Sequence, residues 1–455
     1  MLVSKIVAGL LTAALLLTAP WKASAQEWPL QGTTLFENVR VFDGTGSALS
    51  EPTNVLVQDG KIAKISKDPI PVDRSATTTI IAGNGRTLMP GLIDAHWHTM
   101  LIRLTPLQAL NSGVGYQNLL AADEARQTLF RGFTTVRDMG GPSFDLKRAI
   151  DEGIVWGPRI YPSGAMISIT GGHGDFRSLT ELPRPLGTAQ SRIELIGGAM
   201  IADSPDEVRL RVREQLMQGA SQVKLTAGGG VASPFSPLDV STFTEPELRA
   251  AVEAAENWGT YVATHAYTSA AIQRAINAGV KVIEHGHLMD EATAKLMAEK
   301  GIWLSTQPFL AEAGGGASQL GAAEQAKKAQ VAAGTDNVYK LAKKYKLKTA
   351  FGTDILFSPE EAARQGSRLV DLQRWYTPAE ILTMATHDNA ELLQLTGPRN
   401  PYPGKLGVVE EGAIADLLLV DGDPTKDLSL VAEPWKNFKV IMKDGKIYKN
   451  SLDWK

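Results

Sequence analysis

The stretch GLIDAHWHTM, residues 91–100, places two histidines, His96 and His98, at the end of an apolar run. Successive side chains of a β-strand point to opposite faces, so these two imidazoles share one face and Trp97 lies on the other. The chain has only 7 histidines among 455 residues. An HxH pattern alone is a weak signal, but two imidazoles at one strand end can form half of a metal site. We therefore expect further ligands at other strand ends.

The sequence after this stretch alternates between strand-like and helix-like segments. The helix-like segments are amphipathic, as in PDEVRLRVREQLMQG, and several are followed by glycine, a common helix stop. Eight strand-like runs lie between them: LIDAHWH, FTTVRDMG, RIYPSGAMI, QVKLTAG, YVATHAY, KVIEHGH, IWLSTQP and KTAFGTDI. Eight βα units over about 300 residues predict an α/β fold of the (β/α)8 TIM-barrel type. A doubly wound open sheet is the alternative.

The two ends of the chain have a different texture. Residues 33–90 and 404–450 consist of short strand-like segments separated by Gly, Asp and Asn. VQDGKIAKI near the start and MKDGKIYKN near the end are similar, and each has an Asp-Gly pair typical of a tight hairpin. We therefore predict a small β-sandwich domain formed from residues 26–90 and 401–455, around a barrel over residues 91–400.

The first residues are typical of a secretory leader. Lys5 precedes the apolar run IVAGLLTAALLL, and Ala23–Ser24–Ala25 offers a small-residue cleavage site. The apolar run is short for a membrane span, and an uncleaved anchor is the alternative. We expect residues 1–25 to be a signal peptide and the mature chain to start at Gln26. The mature protein would be periplasmic or secreted, without stable membrane association.

The composition excludes several classes of function. The chain has no cysteine, so no thiolate can act as a nucleophile, and a metal must be held by His, Asp, Glu or a less usual ligand. The formal net charge of −3 becomes −5 when Lys5 and Lys22 leave with the leader, and there is no basic run. Nucleic acid is therefore not expected as a partner. The hydrophobic fraction of 44% and the charged fraction of 21% are those of an ordinary globular enzyme.

Polar side chains recur at the ends of the strand-like runs, where barrel enzymes carry their chemistry. Besides the HxH pair these are His173, Lys224, His265, His285, His287 and Asp354. Imidazole and carboxylate are the natural zinc ligands in a chain without thiols. The pattern therefore predicts a metal site at this end of the barrel.

Lys224 does not fit such a site as an ammonium, because a cation beside a metal ion is repelled. It fits if carbon dioxide converts it to an anionic carbamate, which could bridge two cations. A surface or ion-paired lysine is the alternative interpretation.

Together these motifs resemble the amidohydrolase superfamily of the binuclear metal type. PGLIDAHWH, GFTTVRDMGG, VKLTAGGG, THAY, IEHGH and GTD are similar to its metal-dependent carboxypeptidase and Xaa-Pro dipeptidase branch, which includes ochratoxin amidohydrolases. The resemblance covers nearly all of residues 33–450. It implies two divalent ions, expected to be zinc. The implied ligands are His96, His98 and Asp354 for one ion, His265 and His285 for the other, and Lys224, as N6-carboxylysine, for both.

The resemblance also implies a reaction. The expected substrates are N-acyl amino acids or dipeptides with a free C-terminal carboxylate, ochratoxin A among the candidates, attacked by a hydroxide shared between the ions. Asp354 would take the proton and return it to the leaving amine. The expected substrate contacts are Arg137, His173, Tyr267 and His287. An ion pair with Asp138 or another acid is the alternative for Arg137, and packing is the alternative for Tyr267. For His287 the alternative is a supporting role behind the metal ligands.

Two other functions remain open at this stage. The same metal site could hydrolyse a cyclic amide or a lactone, or the chain could be an inactive metal- or ligand-binding protein. The loop TAGGGVASPFSPLD after Lys224 is expected to be a lid or pocket wall. The segment 311–335 is either an active-site flap or a tolerated insertion. The resemblance further implies a homo-oligomer.

Overall fold

The computed structural model describes residues 32–74, 77–184, 188–310 and 321–452. The predicted signal peptide, the start at Gln26 and the first part of the 311–335 segment lie outside the described residues. None of the helices in the described ranges is both long enough and apolar enough to cross a membrane.

The strands fall into a terminal set and a barrel set. The terminal set comprises β1 (Thr33–Val41), β2 (Thr53–Gln58), β3 (Lys61–Ser66), β4 (Thr78–Ala82), β5 (Thr87–Pro90), β16 (Leu417–Val420), β17 (Phe438–Lys443) and β18 (Lys446–Asn450). The barrel set comprises β6 (Leu92–Trp97), β7 (Phe133–Asp138), β8 (Arg159–Pro162), β9 (Met166–Ser168), β10 (Ala199–Ile201), β11 (Val223–Thr226), β12 (Val262–Thr268), β13 (Val282–Leu288), β14 (Trp303–Thr306) and β15 (Lys348–Phe351).

The helices alternate with the barrel strands and then continue beyond them. They are α1 (Pro106–Asn111), α2 (Val114–Phe130), α3 (Phe144–Asp151), α4 (Arg192–Leu195), α5 (Pro205–Met217), α6 (Glu245–Asn257), α7 (Ser269–Ala278), α8 (Glu291–Lys300), α9 (Ala322–Tyr345), α10 (Pro359–Ala363), α11 (Ser367–Asp371), α12 (Pro378–Thr383), α13 (Asn389–Leu393), α14 (Ser429–Ala432) and α15 (Pro434–Asn437). Local sequence explains their ends. Thr244 and Glu247 form a capping box at the start of α6, and α7 ends at the left-handed Gly279.

The terminal strands form one mixed sheet in the order β18-β17-β16-β5-β1-β2-β3, with β4 beside β1. β1 joins its two halves, because its first residues pair with β2 and β4 and its last two pair with β5. Both predicted hairpins are present, and Asp59, Gly60, Asp444 and Gly445 all have the positive φ that a two-residue turn of this kind requires. The prediction that both chain ends build one β-domain is thereby confirmed.

The barrel strands run parallel, as β6-β7-β8 and as β9-β11-β12-β13-β14-β15. Asn389 joins the last strand to the first, because its Nδ2 donates to the carbonyls of Ile93 (2.7 Å) and Phe351 (2.8 Å). The predicted α/β barrel is confirmed, and the doubly wound alternative is wrong.

One detail of the barrel differs from the predictions. The third run, RIYPSGAMI, was expected to be one strand. It is divided into β8, which pairs with β7, and β9, which pairs with β11. Because the run is divided, its first half pairs with β7 on one side and its second half pairs with β11 on the other. In the 311–335 segment the residues from Ala322 onward begin the 24-residue helix α9, and a role as an active-site flap or as a tolerated insertion stays a prediction.

Candidate metal centre and active site

The six predicted metal ligands meet at the C-terminal end of the barrel. His96, Lys224, His265 and His285 lie in β6, β11, β12 and β13, each with at most 2% of its surface exposed. His98 follows β6 directly and Asp354 follows β15, as the barrel rule requires. The side chain of Asp354 is 16% exposed, so it can face both the ligands and a bound substrate.

The first group of ligands is the tightest part of the site. Oδ1 of Asp354 lies 3.2 Å from Nε2 of His96 and 3.1 Å from Nε2 of His98. The other nitrogen of each ring is already used, because Nδ1 of His96 lies 2.7 Å from Glu284 and Nδ1 of His98 lies 3.1 Å from the carbonyl of Gly140. Both partners are acceptors, so each ring carries its proton on Nδ1 and offers Nε2 to a metal.

Glu284 orients His96 and is itself held by a buried arginine. Its second oxygen lies 2.6 Å from Nη2 of Arg137, and neither side chain has any exposed surface. Burial opposes ionisation of Glu284, but the Arg137 guanidinium and His96 outweigh it and hold its pKa well below the usual range. Glu284 therefore stays a carboxylate and fixes the tautomer of His96.

Arg137 is consequently not a substrate contact, and that prediction is wrong. Its Nε donates to the carbonyl of Ala95 (2.6 Å), its Nη1 to the hydroxyl of Tyr261 (3.2 Å), and its Nη2 to Glu284. The alternative of an ion pair with an acid is confirmed, although the acid is Glu284 and not Asp138. An arginine with no exposed surface and these partners has no side-chain surface that a ligand can reach.

Sequence reasoning missed Glu284 because the strand does not alternate regularly there. His285 has a φ of 78°, in the left-handed region that few non-glycine residues adopt. The turn lets two adjacent residues approach the same ring: Glu284 bonds to His96, and the ring of His285 lies 5.1 Å from that of His96. Asp354 also has a positive φ, 51°. Such strain of about 1–3 kcal/mol per residue persists where the surroundings enforce it, often at functional sites.

The second group contains His265, His285 and Lys224. The rings of the two histidines lie 4.4 Å apart. Nε2 of His265 lies 2.8 Å from the carbonyl of Gly229, and Nδ1 of His285 lies 2.6 Å from Oε1 of Gln307. Donation to these acceptors would leave Nδ1 of His265 and Nε2 of His285 for a metal.

Lys224 lies beside His96 of the first group. Its Nζ is 3.5 Å from Nε2 of His96, and among the described residues it forms no ion pair. Burial lowers the pKa of Lys224 to about 8. Asp354 shows the opposite balance: burial would raise its pKa, but His96 and His98 lower it well below the usual range. Asp354 is therefore ionised at neutral pH, as a proton acceptor must be.

The three other predicted contacts lie beside the second group of ligands. The ring of His173 lies 4.2 Å from that of His265, and the ring of Tyr267 lies 4.7 Å from it. His287 stacks on Phe309 at 5.0 Å, and its Nε2 lies 2.9 Å from the carbonyl of Gln307. Their places suit substrate contacts, and that role stays a prediction. Gln307, which holds both His285 and His287, was missed, since a glutamine just beyond a strand carries no distinctive sequence signal.

Known proteins share this architecture. An amidohydrolase family model matches residues 87–448. Ochratoxinase from Aspergillus niger is 33% identical over 381 residues, which is 80% of this chain and 75% of the relative. A prolidase solved in complex with N-methylphosphonate-L-proline is 34% identical with a TM-score of 0.83, and the match covers 92% of this chain and all of the other. A Xaa-Pro dipeptidase with methionine in its active site is 29% identical over the same shares, with a TM-score of 0.78.

The match to the family model, the shared fold and the ligands at the barrel end agree with the resemblance seen in the sequence. This chain belongs to the amidohydrolase family and is a hydrolase of carbon–nitrogen bonds.

Proposed function

We propose that this protein is a two-metal amidohydrolase that releases an amino acid with a free carboxylate from N-acyl amino acids or dipeptides. Lys224 carries the two-metal part of the proposal. An ammonium that is 98% buried, with no ion pair among the described residues, is costly. A carbamate on the same nitrogen would be an anion within reach of both ligand groups. The modification would replace an unpaired buried ammonium with a carbamate anion, whose charge two metal cations would neutralise.

The other ligands fit two divalent ions. Oδ1 of Asp354 lies 3.2 Å from Nε2 of His96 and 3.1 Å from Nε2 of His98, and the three residues can place one ligand atom each within 4.8 Å of the others. His265 and His285 each have one ring nitrogen left after their hydrogen bonds to Gly229 and Gln307. Nitrogen and oxygen donors of this kind suit zinc.

The chain's own residues then perform the proton transfers. When bound, divalent ions lower the pKa of water and polarise a carbonyl. Hydrolysis adds the oxygen of water to the acyl carbon, breaks the C–N bond and protonates the departing nitrogen. Asp354 is ionised, so it accepts the proton of the attacking water and passes it to that nitrogen. Glu284 and Arg137 keep His96 in the tautomer that this arrangement needs.

The substrate class is supported by the relatives and by donors beside the second ligand group. The prolidase was solved with an N-substituted proline and the dipeptidase with methionine, both amino-acid ligands. His173 and Tyr267 lie next to His265 and can bind the carboxylate of such a ligand. Ochratoxin A stays a candidate substrate through the similarity to ochratoxinase.

We also propose that the chain is exported, cleaved near Gln26, and assembled as a homo-oligomer. The leader-like residues 1–25 support export. N-terminal sequencing of protein from the periplasm or medium, and light scattering of the purified protein, test these two points.

The substrate proposal is tested with matched compounds. Purified protein is assayed for zinc and for release of amino acid from N-acetyl amino acids, their C-terminal amides, X-Pro dipeptides and ochratoxin A. We expect about two zinc ions per chain and turnover that requires the free carboxylate. Equal turnover of an acid and its amide would contradict the carboxylate requirement. Zinc-loaded protein that cleaves only lactones or cyclic amides would replace this substrate class with the rival one.

A further inference from the structure

The loop after the lysine strand folds back on itself beside the active site. It comprises residues 227–242, between β11 and α6, and is called here the 227–242 loop. Its ends meet, because the backbone N–H of Thr242 donates to the carbonyl of Ala227 (3.0 Å). Gly229 in this loop accepts from His265, so the loop contacts a metal ligand directly. The 227–242 loop therefore lies directly against the candidate metal centre.

The same loop sets the tautomer of His173. Oγ of Ser233 accepts from the backbone N–H of Gly174 (3.0 Å) and lies 2.9 Å from Nδ1 of His173. Among the described residues this hydroxyl has no other acceptor, so its proton goes to Nδ1 and His173 carries its own proton on Nε2. Gly230 lets the loop approach, since a Cβ there would lie 1.9 Å from Nδ1 of His173. His173 thus has Nε2–H as a donor for a substrate anion.

Lys327 of helix α9 holds this loop by its backbone. Its Nζ donates to the carbonyls of Ser233 (2.8 Å), Ser236 (2.9 Å) and Gly230 (3.3 Å). An ammonium has three N–H donors, and all three are used on one loop. No carboxylate among the described residues pairs with Lys327. Its ammonium therefore binds backbone carbonyls of the loop and does not neutralise an acid.

Apolar packing one turn further along α9 supports the same contact. Val331 is buried in one small apolar cluster with Leu238 of the loop and Tyr267, a predicted substrate contact. Lys327 and Val331 are four residues apart, so they lie on the same face of the helix. That face continues to Thr335, whose hydroxyl donates to the carbonyl of Phe309, the ring that stacks on His287. Helix α9 therefore contacts pocket residues from several strand exits.

We propose that Lys327 is a positioning residue for substrate binding: it holds the 227–242 loop so that Ser233 keeps His173 ready to receive the carboxylate of the leaving amino acid. The part that concerns the carboxylate rests on the proposed function. The part that concerns the loop stands on the hydrogen bonds alone. Without the ammonium, three converging carbonyls would lose their donor, and the loop would move away from His173.

The test uses the full-length mature protein and three variants. Lys327→Met keeps the length of the side chain and removes the donors, and Lys327→Arg restores donors to the same carbonyls. Lys340→Met is the matched control, because Lys340 lies on the same helix, is 69% exposed and pairs with Asp336 on the surface. Hydrogen exchange followed by mass spectrometry reports on the 227–242 loop without substrate, and KM and kcat are measured with an N-acetyl amino acid.

In Lys327→Met we expect exchange in the 227–242 loop to be about 10- to 100-fold faster, the factor that corresponds to loss of a hydrogen bond to a charged group. KM should rise by about 10-fold or more while kcat changes less. Lys327→Arg should recover part of both effects, and Lys340→Met should behave as the wild type.

Two results would overturn the inference. One is loop exchange and KM in Lys327→Met equal to those in Lys340→Met. The other is faster exchange throughout the barrel, with kcat and KM affected alike, which would show general destabilisation. If the wild type cleaves no N-acyl amino acid, the proposed function fails, and the exchange comparison alone still decides whether Lys327 holds the loop.

Discussion

The two ligand groups of the site are built differently. In the first, a buried ion pair orients His96, a backbone carbonyl orients His98, and Asp354 lies within 3.2 Å of both. In the second, a loop carbonyl and a neutral glutamine orient His265 and His285, and Lys224 has no counter-ion among the described residues. The ligands of the first group are all unmodified side chains, whereas the second group needs Lys224 to be converted to a carbamate. The first group should therefore bind metal more independently of the rest of the site.

The largest effect is expected for Asp354, which is both a ligand of the first group and the proposed proton acceptor. Asp354→Asn removes the proton acceptor while it keeps the shape of the side chain. General acid–base work contributes about 100- to 10,000-fold, so kcat should fall by at least that range. Steady-state assays together with zinc analysis measure this. Retention of more than a tenth of the wild-type rate would show that another group takes the proton.

Substitution of Lys224, the proposed bridging ligand, distinguishes a two-metal site from a one-metal site. Lys224→Ala should lose the metal of the second group and about 100-fold or more of activity, because loss of a group that supports a metal site commonly costs about 10- to 100-fold. Lys224→Glu, a shorter carboxylate, should recover part of the metal. Assembly of the wild type should require carbon dioxide, which is tested by loading zinc in degassed buffer. Two metals and near-normal turnover in Lys224→Ala would disprove the bridge.

Weakening the buried ion pair should affect the first group more than the second. Glu284→Gln keeps the size of the side chain but removes the charge that fixes His96 and neutralises Arg137. We expect about 10- to 100-fold weaker binding of one zinc, with a lower melting temperature because Arg137 is left without its charge partner. Competition with a chelator measures the affinity. Equal loss of both ions would contradict the independence of the two groups.

The smallest effect is expected for Gln307, the neutral residue that orients His285. Gln307→Leu removes the neutral partner of His285, which should cost about 10-fold in affinity for one zinc, at the lower end of such effects. Gln218→Leu, at an exposed helix end, is the control. A loss in Gln307→Leu greater than that in Glu284→Gln would reverse the comparison between the groups.

Much of the fold was predictable because it depends on local pattern. The eight strand-like runs, the glycine stops of helices such as Gly279 and the two Asp-Gly hairpins all appear in the structure. The division of the third run into β8 and β9 was not predictable, because it depends on which neighbour each half pairs with. Pairing of that kind is decided by the closure of the barrel and not by the run itself.

The sequence by itself determined the class of fold, because strand periodicity and strand ends place the polar side chains at one end of the barrel. The motifs at those ends carried the resemblance to the family, and the resemblance implied which six of these residues are the candidate ligands. Tertiary structure alone decided which groups serve those ligands. Glu284 and Arg137 are 147 residues apart, and Lys327 reaches carbonyls 91 to 97 residues away. Such partners meet only when the barrel closes and the backbone turns at His285, so no local pattern marks them.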